Sequence, residues 1–101
     1  MRKSSYVLKK GDAENAVSVL KIVSNKNRYM IMKMLFSAKG DLCVHELSER
    51  IGLSQSATSH QLAYLEARGI VKSVRTGKTK CYLPTDISLT KKVAKIIQSL
   101  K

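Results

Sequence analysis

The sequence predicts an α+β fold, mostly α, with about five helices and a two-stranded wing. Three observations lead there. Apolar residues recur at helical spacing in several separate stretches. Within residues 42–69, LCVHELSERIGLSQSATSHQLAYLEARG, two helical patterns meet at Gly52, a residue suited to a sharp turn. A basic strand–turn–strand, VKSVRTGKTKCYL, follows at once. Two helices and a basic ribbon in that order are the parts of a winged helix-turn-helix, which sets one helix in the DNA major groove.

The first helix is expected from Asp12 to Ser24, with Asp12 as N-cap and Ala13, Ala16, Val17, Leu20 and Val23 on its apolar face. Residues 1–11 read as a basic, flexible arm, and residues 12–101 as the DNA-binding and dimerisation domain. A second helix runs from Lys26 to Ser37. Tyr29, Ile31, Met32, Met34, Leu35 and Phe36 make it apolar over most of its circumference, as a central core helix must be. Gly40 is expected as its left-handed terminator.

Cys43 and Glu46 have capping-box spacing for a third helix with Val44, Leu47 and Ile51 inward. Ser54 caps a fourth, with Ala57, Leu62 and Leu65 toward the core and Ala63 and Ala67 as small packing residues. Gly69 ends it. Strands follow over Ile70–Arg75 and Lys78–Leu83, joined near Thr76-Gly77, and Pro84 stops the second. Asp86 or Ser88 caps a last helix striped with Leu89, Val93, Ile96, Ile97 and Leu100. Such a seam needs a surface to cover. Pairing with a second subunit through the terminal helices is one answer, and docking within the chain is the other.

A chain of 101 residues suffices for one small domain. Its 19 Lys+Arg against 7 Asp+Glu give a net charge of +12, which should attract a polyanion. A nonspecific nucleic-acid binder of architectural type would share that charge. Its placement is more informative. Arg68, Lys72, Arg75, Lys78 and Lys80 occur with no acid between Arg68 and Lys80. No apolar run could span a bilayer, and MRKSSYVLKK lacks a signal-peptide core, so a cytoplasmic protein with no membrane partner is expected. No nucleophile–base–acid set, phosphate loop or complete metal site is visible; neither an enzyme nor a cofactor is expected.

A helix that reads base edges needs short polar side chains at its N-terminal end. Ser54, Gln55, Ser56, Thr58, Ser59, His60 and Gln61 fit that need. Arg75, Lys78 and Lys80 on the ribbon can reach phosphates, adding salt-dependent affinity more than base selection. The partner implied is double-stranded DNA.

Residues 20–83 resemble the ArsR/SmtB family of bacterial and archaeal transcriptional repressors. The motifs that carry the resemblance are NKNRYMIMKML, DLCVHEL, GLSQSATSHQLAYLEARGIV and RTGKTKCYL, in that order. It implies a homodimer binding an operator of imperfect dyad symmetry, with an effector that relieves repression. Metal sensors of the family often carry Cys-Val-Cys at the start of the third helix; this chain has Cys43-Val44-His45. Another family site uses Asp, His and Glu on the last helix, where this chain has Asp86 but neither His nor Glu. No metal site is complete.

Cys43, Cys81 and His45 are the possible sensor residues. A permanent structural disulfide is not expected in a cytoplasmic protein. A short strand before the third helix, paired with the second wing strand, would bring Cys43 near Cys81, close enough for a reversible bridge if the Cβ atoms lie about 3.5–4.5 Å apart. The alternatives are two packing thiols or a metal site.

Overall fold

The computed structural model describes residues 9–100, so the expected arm lies largely outside them. Helix α1 spans Lys10–Val23, taking in two residues assigned to the arm. Lys9 is its extended N-cap, and the Lys9 carbonyl accepts from Asp12 N and Ala13 N. Asp12 is therefore not the cap. It lies in the first turn, where a carboxylate favours the positive end of the helix dipole. The inward face of α1 is also displaced. Val19 and Ile22 are buried, whereas Val17 and Leu20 are 48% and 56% exposed. The stripe Ala13, Ala16, Val17, Leu20 is thus mostly the helix's outer side, because the chain offers two apolar faces and the core takes the other.

Helix α2, Lys26–Ser37, is capped by Asn25, whose side chain accepts from Arg28 N at 2.9 Å. Ile31, Met32 and Leu35 are buried at the centre, and Tyr29, Met34 and Phe36 pack around them. Each such buried side chain contributes about 1.5–3 kcal/mol over exposure. Gly40 is not the left-handed terminator. Extended Ala38 closes the helix instead, with its N–H shared between the Met34 and Leu35 carbonyls.

Strand β1, Leu42–Cys43, leads into α3, Val44–Ile51, and Cys43 N donates to Glu46 Oε1 at 3.0 Å as the capping-box spacing predicts. Gly52, at φ 83°, makes the turn into α4, Gln55–Ala67. Helix α4 ends in a Schellman closure: Gly69 N donates to Glu66 O and Ile70 N to Leu65 O, with Gly69 at φ 77°.

That closure takes the Ile70 N–H, so β2 covers Val71–Thr76 and β3 Thr79–Pro84, each one residue later than expected. Thr76 pairs with Thr79, and Gly77 alone has positive φ in the two-residue loop, the pattern of a type II′ hairpin turn. The three antiparallel strands lie in the order β1-β3-β2.

Helix α5, Ser88–Ser99, starts after Ile87 with no side-chain cap; neither Asp86 nor Ser88 serves. Thr85 Oγ1 instead bridges the Ile70 carbonyl and Thr90 Oγ1, pinning the start of α5 to the end of α4. The α5 stripe divides. Val93 and Ile97 are buried in this chain's own core, Leu89 and Ile96 pack against it, and Leu100 is exposed. The seam is covered mainly within the chain. None of the described helices is long and apolar enough to cross a membrane.

Candidate nucleic-acid interface

Ser54 builds the head of α4. Its Oγ accepts from Ala57 N at 3.0 Å, and its carbonyl accepts from Thr58 N at 3.0 Å. From that cap the helix turns Gln55, Ser56, Ser59 and His60 outward. Ala63 and Ala67, expected inside, are exposed and continue the stripe. Spacings of three and four residues put Ser56, Ser59, His60, Ala63 and Ala67 along one side of α4. A surface of such short side chains lets a helix approach the floor of a groove.

Two expected contacts are turned away. Thr58 is fully buried, and its hydroxyl donates to Ser54 O at 2.9 Å. It faces inward because the β-branched side chain shares the core side of α4 with Leu62 and Leu65. Gln61 is half-buried; its Oε1 accepts from Arg28 Nη1 at 3.0 Å and its Nε2 donates to Asn25 Oδ1 at 3.4 Å. Sequence reading missed Arg28 altogether. Only its place three residues after Asn25 hinted at a role, and that spacing signals the cap rather than a buried guanidinium.

The ribbon is exposed from Arg75 through Lys80, and Arg75 pairs with Lys80 across it. Glu66 ties it to α4. Ser73 Oγ donates to Glu66 Oε2 at 2.9 Å, and Lys80 Nζ lies 4.0 Å from Glu66 Oε1. Lys80 therefore shares its charge with α4, while Arg75 and Lys78 make no ion pair with the described residues.

Cys43 and Cys81 are directly opposed in the β1–β3 register and are joined as a disulfide, with Cα atoms 3.8 Å apart. The proximity follows from the strand pairing. The linkage is the bridge that this pairing was expected to allow, although a permanent structural disulfide was not expected. Cys81 is buried and Cys43 half-buried. His45 does not turn toward this pair. Its Nδ1 lies 3.1 Å from Gln55 Nε2 and its Nε2 3.4 Å from Glu49 Oε2. The imidazole is drawn to α4 because it points out of the solvent side of α3, one residue past the inward Val44. Among the described residues no group of three or more His, Cys, Asp or Glu could hold a metal ion.

Residues 25–73 match the family described as "Bacterial regulatory protein, arsR family". The transcriptional activator HlyU of Vibrio cholerae is 40% identical over 71 residues, covering 70% of this chain and 64% of that protein. The regulator NmtR of Mycobacterium tuberculosis is 39% identical over 70 residues, covering 69% and 57%. In these matches the chain spans less than two thirds of each relative's length. Among solved structures, reduced HlyU from Vibrio cholerae superposes with a TM-score of 0.74 at 31% identity, covering 90% of this chain and 94% of that one. The transcriptional repressor BigR from Xylella fastidiosa gives 0.77 at 28%, covering 90% and 88%. With residues 25–73 matched to the family and 90% of the chain superposed on HlyU at 31% identity, the chain belongs to the ArsR family of bacterial regulatory proteins.

Proposed function

We propose that the protein is a dimeric, sequence-specific DNA-binding transcriptional regulator of the cytoplasm. Helix α4 reads a major groove and the β2–β3 wing holds the flanking backbone. The observation that carries this reading is the juxtaposition of the short polar face of α4, Gln55, Ser56, Ser59 and His60, with a basic hairpin anchored to the same helix through Glu66. The cap at Ser54 leaves the N-terminal end of α4 suited to a phosphate. Dimerisation is supported by the exposed Val17 and Leu20 on α1, beside an open groove of about 390 Å³ where Ala16, Leu20 and Lys92 line the α1–α5 junction. A two-fold protein then binds a two-fold operator. HlyU is an activator and BigR a repressor; repression is what the resemblance to the ArsR/SmtB repressors implies for this protein.

Footprinting on the DNA upstream of the protein's own gene tests the proposal. A single protected site of dyad symmetry supports it. Uniform protection at every sequence would instead favour a nonspecific architectural protein.

For the effector, the opposed Cys43 and Cys81 support thiol oxidation. An oxidant such as hydrogen peroxide takes two electrons and two protons from the thiols, forming one S–S bond and leaving two waters. Cys43, less buried than Cys81, meets the oxidant first, and Cys81 resolves it.

A further inference from the structure

Arg28 is 9% exposed and carries its charge into the junction of three helices. Its Nε donates to Ile22 O at 2.8 Å and its Nη2 to Lys21 O at 2.9 Å, two carbonyls in the last turn of α1. Its Nη1 donates to Gln61 Oε1 on α4 at 3.0 Å. The guanidinium carbon lies over the Tyr64 ring, also on α4, 3.9 Å from its centroid. Arg68 covers that ring at 3.4 Å. Asn25 closes the circuit, its Oδ1 accepting from both Arg28 N and Gln61 Nε2. No described carboxylate pairs with Arg28. Its charge is stabilised by the negative end of the α1 dipole, by the carbonyls and by the aromatic face. A lysine has neither the planar fork nor the stacking surface to meet all of these at once.

We infer that Arg28 is a positioning residue for site selection: it locks the angle between α1 and α4, and so fixes how far apart the two recognition helices of a dimer stand. The inference rests on the DNA-binding, dimeric reading above. The exposed Val17 and Leu20 lie on α1 just before Lys21, one of the residues whose carbonyl Arg28 holds. On α4, the outward His60 is next to Gln61, which Arg28 also holds. The surface proposed to join the subunits and the surface proposed to read DNA therefore meet at one side chain. Adding one base pair between half-sites moves a groove by about 3.4 Å and turns it by roughly 35°. A rigid α1–α4 angle rejects that change; a loosened one follows it.

The test uses the full chain and a set of duplexes carrying the footprinted half-sites with their spacing changed by one or two base pairs in either direction. Binding is measured for the wild type, Arg28→Lys and Gln61→Leu, alongside a duplex with one half-site. The wild type should prefer one spacing by at least about tenfold, on the scale of one disrupted base-pair contact. Arg28→Lys should flatten that preference to within about threefold while keeping its affinity for the single half-site. Gln61→Leu, which removes the α4 acceptor of Arg28 together with the Gln61 donor to Asn25 but leaves the guanidinium in place, should flatten it in the same direction and keeps the test decisive if Arg28→Lys does not fold. Variants that retain the sharp spacing preference, or lose affinity equally for all duplexes, overturn the role of Arg28 and leave the DNA-binding reading standing. A wild type that selects no site at all overturns that reading, and this inference with it.

Discussion

Gln55 Nε2 lies 3.1 Å from His45 Nδ1, so the first residue of α4 is held by α3 across the turn at Gly52. The contact orients an amide that can pair bidentately with adenine. The double variant Gln55→Ala with Ser59→Ala should therefore lose site selection and keep its fold, since both side chains are exposed. Each lost base contact should cost about 1–3 kcal/mol of discrimination. Competition between operator and random DNA measures it, and unchanged discrimination would remove α4 as the reading element.

The wing should act on every sequence alike. Arg75→Ala and Lys78→Ala are each expected to lower the slope of log K against log salt by about 0.9. Lys80→Ala should change it less, because Glu66 already lies 4.0 Å from that ammonium. A salt titration of binding decides this. A loss confined to one DNA sequence, with the slope intact, would mean the wing reads bases.

Much of this arrangement is legible in the sequence because it depends on local rules. Ser54 caps α4 by its own side chain, and Gly52, Gly69 and Gly77 supply the positive φ that three turns require. The nearness of Cys43 and Cys81 was legible because, in a winged helix, the strand before the third helix usually pairs with the second wing strand. Local rules misplaced the caps at Asp12, Gly40, Asp86 and Ser88, and the rest of what was not legible depends on contacts between distant residues. Whether Thr58 or Ser59 faces the groove, and which of two apolar stripes on α1 is buried, is decided by tertiary packing that periodicity leaves open. Arg28 and Gln61 are 33 residues apart, and nothing near either in sequence announces the other.

The same limit changes how assembly must be probed. The α5 seam suggests Val93 and Ile97 as interface positions, yet both are buried in this chain's core. Val93→Glu should unfold the protein, because an unpaired buried carboxylate costs several kcal/mol against a total stability of about 5–15 kcal/mol. Val17→Glu with Leu20→Glu, on the exposed side of α1, should instead give a folded monomer that binds the operator poorly. Circular dichroism and sedimentation separate the two outcomes. A dimer that survives both α1 substitutions would place the interface elsewhere.

The cysteine pair gives the last prediction. Cys43 caps α3, whose far end turns into α4, and Cys81 sits within the wing. Closing the bridge ties the start of α3 to β3; opening it leaves the two strands joined by hydrogen bonds alone. Oxidation should therefore change the wing's angle to α4 and lower operator affinity. A coupling of about 1–3 kcal/mol corresponds to roughly 5–150-fold. Cys43→Ser is a clean control, since serine is a good N-cap residue and should preserve α3. After mild peroxide, mass spectrometry should find the Cys43–Cys81 linkage within one chain of the wild type, with weakened binding. Cys43→Ser should keep its affinity under the same treatment. If it responds as the wild type does, or if linkage forms without any change in binding, the pair is structural and the effector acts through other residues.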